Sequence, residues 1–202
     1  MTHWWKAGGV FGAVSVALVI AASTARAASP AEFVRMAGDR TFQSLGDGAI
    51  TDTERQQRFR AILIDIFDIP TIGQFVLGRY WRVSTDAQKA EYLRLFEEFV
   101  VQAYTNRFKE LGDKKFNVGL TQPVTEDDTL VQTEIQESKG PPIKVNWRVR
   151  NLPKGFKVID VQVEGVSMSI TQRDEFASVI RTRGGTIDGL LAALREKTGM
   201  RN

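Results

Sequence analysis

Midway along the chain the apolar residues change their period. Up to about residue 111 they recur every three or four positions, and from Phe116 they alternate. The first spacing lays one face of a helix against a core, and the second lays one face of a strand there. A helix pattern does not settle as a strand, so the switch divides the chain into a helical part and a sheet part. Phe116, Val118 and Leu120 alternate with polar or small residues, as do Val131, Thr133 and Ile135. Ile143, Val145, Trp147 and Val149 alternate with Lys144, Asn146, Arg148 and Arg150, which is the cleanest strand. Phe156 and Val158 give way to Ile159, Val161 and Val163, a phase slip that predicts a bulge near Val158. Turn-rich breaks at 126–128, 139–142 and 151–155 make these four strands an antiparallel meander. A sheet with one apolar face must be covered on that face, and the amphipathic helices are the candidates.

Helix starts are marked by local caps. Ser29-Pro30-Ala31-Glu32 opens a helix to about Leu45, and Thr51-Asp52-Thr53-Glu54 opens a second through Phe59, Ile62, Leu63 and Ile66. Asp68-Ile69-Pro70 starts a short third helix ending at Leu77 before Gly78. Thr85-Asp86-Ala87-Gln88 caps the longest, to about Leu111, with Leu93, Phe96, Val100, Tyr104 and Phe108 on one face. After the strands, the chain stays extended through Ile170, Thr171 caps a helix to about Arg183, and Thr186 begins a last one to Lys197. Helices, four antiparallel strands, then helices predict the α+β class.

The first 27 residues stand apart. Thr2-His3-Trp4-Trp5-Lys6 is a short basic start, Ala7–Ala22 is a run of 16 small and apolar residues, and Ala25-Arg26-Ala27 is a small-x-small site. These are the three parts of a cleavable secretory leader, with cleavage expected before Ala28. The run is shorter than the roughly 20 residues that span a bilayer. Residues 28–202 are then expected to form a single domain, long enough to bury its own core.

Removal of the leader takes away the chain's one histidine, His3, and there is no cysteine. A mature chain without either has no Cys/His zinc site, no Ser-His-Asp triad and no thiol nucleophile. It keeps 25 basic against 24 acidic residues, too even a balance for nucleic acid. Gly165-Val166-Ser167-Met168-Ser169 lacks the final glycine of a nucleophile elbow, and no histidine is present to activate Ser167. The carboxylate pairs Glu97-Glu98, Asp127-Asp128 and Asp65/Asp68 read as solvated faces or caps. Lys144, Arg148 and Arg150, with Lys154 and Lys157, form a basic sheet face that reads first as ordinary exposed surface and alternatively as a site for an anionic headgroup or a docking partner.

The densest stretch is 67–82, where large apolar residues, Gly73 and Gly78, and the pair Tyr80-Trp81 crowd a short helix and its exit. Together with Thr85-Asp86-Ala87-Gln88, the helix through Phe96, Phe99 and Tyr104, and Val161-Gln162-Val163-Glu164-Gly165-Val166-Ser167-Met168, it resembles the MlaC family. These are periplasmic phospholipid-binding proteins, also called toluene-tolerance proteins. Arg173, Phe176, Ile180 and Gly184-Gly185 continue the likeness, and Met168 stands where leucine is commoner.

The resemblance implies a curved sheet and helices enclosing an apolar pocket for acyl chains. It also implies a monomeric lipid carrier, neither enzyme nor metalloprotein, that needs no cofactor. Phospholipid would be its cargo, and an inner-membrane ABC transporter and an outer-membrane lipoprotein–porin complex its partners. Expected lipid-binding residues are Ile72, Phe75 and Val76 on the short helix and Phe96, Val100 and Tyr104 on the long one. Val145, Trp147, Val149, Val161 and Val166 are expected to serve from the sheet, with Tyr80, Trp81 and Arg82 at the pocket mouth. Alternatives are a hopanoid carrier of the same fold, a non-catalytic scaffold, and an enzyme that uses carboxylates alone.

Overall fold

A computed structural model describes residues 29–46, 48–105, 115–136 and 140–200. The expected leader, 1–27, and the end of the long helix, with Phe108 and Leu111, lie outside the described residues. The chain order is α1 (Pro30–Leu45), α2 (Asp52–Ile66), α3 (Ile69–Leu77), α4 (Arg79–Val83) and α5 (Asp86–Thr105). Then come β1 (Phe116–Pro123), β2 (Asp128–Ile135), β3 (Ile143–Leu152), β4 (Gly155–Val163) and β5 (Val166–Ser167). Helices α6 (Met168–Thr182) and α7 (Ile187–Thr198) follow. Among the described residues no helix is long and apolar enough to cross a membrane.

The caps act as their residue types require. Ser29 and Thr51 side chains accept from the Glu32 and Glu54 amides, both at 3.2 Å. Thr85 and Gln88 exchange bonds: the Gln88 amide donates to Thr85 Oγ1 at 3.2 Å and the Thr85 amide to Gln88 Oε1 at 3.0 Å. Asp68 caps α3 through the Thr71 amide at 3.1 Å. Each satisfies an amide that the first helical turn leaves without a partner.

The sheet is a meander in the order β1-β2-β3-β4-β5, antiparallel throughout. The fifth strand, two residues long, is added to the four expected, and helix α6 begins at Met168, earlier than Thr171. Both corrections have one cause. Ser167 caps α6 by accepting from the Ile170 amide at 3.1 Å while its hydroxyl donates to Asp160 Oδ2 at 2.7 Å. Asp160 Oδ1 also takes the Ser169 amide at 3.1 Å. The phase slip in β4 is a bulge: Arg148 pairs with Asp160 but Val149 with Val158, so Ile159 has no opposite number.

Asp128, from one of the pairs read as solvated faces or caps, and Arg148 and Arg150, from the basic face, form one cluster. Asp128, 1% exposed, takes hydrogen bonds from Arg148 (Nε 3.0 Å, Nη2 2.7 Å) and Arg150 (Nε 2.7 Å, Nη2 3.0 Å). The hydrogen bonds from Arg150 hold the Asp128 carboxyl below its ordinary value, against burial; those from Arg148 add to the lowering. Glu97, at 2.6 Å, and Glu98 hold Arg60 and so tie α2 to α5. Glu91 ties Arg195 of α7 to the same helix at 2.6 Å.

The helices cover the apolar face of the sheet. Tyr92 (0% exposed), Phe96 and Phe176 stack and edge against one another at centroid distances of 5.7 to 6.3 Å where α5 meets α6. The Tyr92 hydroxyl donates to the Gly73 carbonyl at 3.0 Å, and burial pushes its phenol pKa well up. At the corner between α2 and α3 the helical layer joins the sheet through its backbone: Phe67 forms a bridge with Val158, and the Asp68 amide donates to the Val158 carbonyl at 3.0 Å.

Candidate functional site

Helices and sheet do not close completely on each other. Between them lies a cavity of about 390 Å³ with almost wholly apolar walls. Its size falls within the usual range for sites that hold small molecules.

Each wall comes from one periodic face. Helix α2 gives Phe59, Ile62, Leu63 and Ile66, a run at i, i+3, i+4 and i+7, and α3 gives Ile69, Ile72 and Val76. Helix α5 gives Phe96, Val100 and Tyr104, one per turn, and α1 gives Ala37, Gly38, Thr41 and Phe42. Opposite these, the pleat presents alternate residues: Ile143, Val145 and Trp147 from β3, and Val161 and Val163 from β4. Register sets them side by side, Val145 against Val163 and Trp147 against Val161. Phe116 of β1 pairs with Ile135 of β2, which pairs with Ile143, so one row of apolar side chains crosses three strands.

Polar atoms at the wall are mostly engaged within the protein. The Trp147 indole donates to Thr133 Oγ1 at 2.9 Å, and that hydroxyl donates to the Val145 carbonyl at 2.7 Å. Thr41 donates back to the Ala37 carbonyl at 2.7 Å. Asp160 is the one charged residue among the described lining residues, and it accepts from Ser167 and Ser169. With Ser169 and Gln172 it marks a polar end of the cavity where β4 meets the start of α6. Away from that end the surface carries hydrocarbon and aromatic groups. It can exclude water from a hydrocarbon.

Of the residues singled out in the sequence, Ile72, Val76, Phe96, Val100, Tyr104, Val145, Trp147 and Val161 share this wall. The others lie elsewhere. Val149 is 1% exposed and sealed in solid core opposite Val158. Phe75 sits on the outer side of α3, half exposed, beneath the Arg173 guanidinium at 5.3 Å. Tyr80 and Trp81 fall in α4, packed against the outside of the core, with the Arg79 guanidinium over Tyr80 and the Lys89 ammonium 5.6 Å from the Trp81 ring. Arg82 is exposed beside them, and Val166 is exposed on β5.

Sequence reasoning passed over the walls built by α1, α2 and Phe116. The α2 face was visible as a helical stripe. Nothing in the stripe distinguishes a face that meets other side chains from one that meets a void.

Three likenesses accompany this geometry. The intermembrane phospholipid transport system binding protein MlaC of Haemophilus influenzae is 20% identical over 191 residues, covering 91% of this chain and 88% of that protein. A phospholipid-binding protein from Ralstonia solanacearum, solved in complex with a phospholipid, shares the fold. Its TM-score is 0.74 at 23% identity, over 83% of this chain and 95% of that one. The model of the family described as MlaC protein matches residues 36–196. That span runs from α1 into α7 and takes in every wall of the cavity, so the chain belongs to the MlaC family.

Proposed function

We propose that this protein is a periplasmic phospholipid carrier that holds acyl chain in the cavity between α1, α2, α3, α5 and the sheet. The observation that carries the reading is the wall itself: a polar end of Asp160, Ser169 and Gln172, and, Thr41 apart, otherwise hydrocarbon and aromatic surface. At about 0.8 kcal/mol per CH₂, a 16-carbon chain is worth roughly 12 kcal/mol more buried than in water. Lipid crossing an aqueous gap therefore needs such a container. The secretory leader read at 1–27 supplies the compartment, and the name of the Haemophilus relative and the ligand of the Ralstonia protein supply the cargo class. In this reading the carrier exchanges lipid with an outer-membrane lipoprotein–porin complex on one side and an inner-membrane ABC transporter on the other, and catalyses nothing.

The test is mass spectrometry of an organic extract of the protein taken from its own periplasm. Phospholipid in amounts comparable to protein is expected. Lipid-free protein that also takes up none from vesicles would end the proposal, and a polycyclic lipid in the extract would replace the cargo.

A further inference from the structure

Gly38 stands near the middle of α1, where glycine weakens a helix and alanine would strengthen it. Its neighbour explains it. A Cβ built on Gly38 would lie 2.3 Å from Cε1, 2.5 Å from Cδ1 and 3.0 Å from Cζ of Phe116. Carbon atoms in contact keep about 3.5–4.0 Å, so the Phe116 ring lies directly on the bare backbone of α1.

The ring has little choice of where to go if displaced. Phe116 opens β1, and its backbone is held in register with Ile135. Phe42 flanks the ring at 5.9 Å and Trp147 meets it edge-on at 6.3 Å. The remaining side is the cavity, which both Gly38 and Phe116 line.

We propose that Gly38 determines acyl-chain selectivity: its missing side chain gives Phe116 a seat on α1, and the seated ring sets how much chain the cavity accepts. The inference rests on the carrier reading above. Pushing the ring off α1 by somewhat more than 1 Å removes room for about two methylenes. Where the shorter of two chains still fits and the longer loses two buried methylenes, relative affinity for the longer falls about fifteenfold.

The experiment offers lipid-stripped protein equimolar vesicles of dimyristoyl and distearoyl phosphatidylglycerol and reads the bound ratio by mass spectrometry. Gly38→Ala is expected to shift the ratio toward the dimyristoyl lipid by about fifteenfold. Phe116→Ala, which enlarges the cavity, is expected to shift it the other way, and the double substitution to fall between them. Ratios within twofold of the parent for both single variants overturn the proposal. If Gly38→Ala does not fold, an unchanged ratio for Phe116→Ala alone overturns it. A parent that takes up neither lipid refutes the carrier reading instead, so the two failures are distinguishable.

Discussion

Val100→Glu puts a carboxylate on the cavity wall without entering the solid part of the core. Val100 is half-buried on α5, one turn from Phe96 and Tyr104, which line the same cavity. In the empty protein, water in the cavity can hydrate the new charge, and the fold should lose little. A seated acyl chain displaces that water. The charge already present, Asp160, has the same sign and offers no pairing. The effective cost of burying an unpaired ion is several kcal/mol, and about 4 kcal/mol corresponds to loading weaker by roughly a thousandfold. Val149→Glu supplies the contrast. It lies on the same face of β3 but is 1% exposed against Val158, so its carboxylate is dry whether or not lipid is bound, and the cost falls on folding. The assay is lipid extracted per protein, with urea unfolding of each lipid-free variant alongside. Val100→Glu should lose its lipid and keep its midpoint, while Val149→Glu should lose several kcal/mol of stability. Parental lipid content in Val100→Glu, or equal midpoint losses in both variants, would refute the placement of the wall.

Two further outcomes test the supports of the fold. Asp128→Asn should destabilise at pH 7 by about 2 kcal/mol, less than the roughly 3–5 kcal/mol of a fully buried pair, because Arg148 and Arg150 are about one-third exposed and regain water. The folded carboxyl titrates below its unfolded value of ~3.9. The stabilisation is therefore complete above that value and disappears as pH falls through the lower folded one. A gap between parent and variant that persists undiminished at pH 2 would contradict this. Tyr92→Phe removes the bond to the Gly73 carbonyl and should cost about 1 kcal/mol in urea unfolding while sparing lipid content; an unchanged midpoint counts against it.

Much of the fold was legible because its signals are local. Ser29 with Glu32, Thr51 with Glu54 and Thr85 with Gln88 lie three residues apart, and each opens a helix where the sequence says it should. The start of α6 was misplaced because Ser167 is tied to Asp160, on another strand. The slip in β4 showed as a broken alternation. The register shift in β1 between Val118 and Thr121 did not, since Leu120 continues the pattern yet is turned out to 74% exposure. The site was legible only in part for a related reason. Val145 and Val149 occupy the same face of β3 with the same side chain, and one walls the cavity while the other is sealed in core. Periodicity says which way a residue points. It does not say how far away the opposite layer stands.

That separation depends in part on the bond from the Asp68 amide to the Val158 carbonyl. A tether made by the main chain is indifferent to which side chains surround it. Substitution of the nearby lining residues Ile62, Leu63 and Ile66 therefore removes neither the donor nor the acceptor of this bond. This corner of the container is thus held by a part of the chain that every residue carries alike, whatever its side chain.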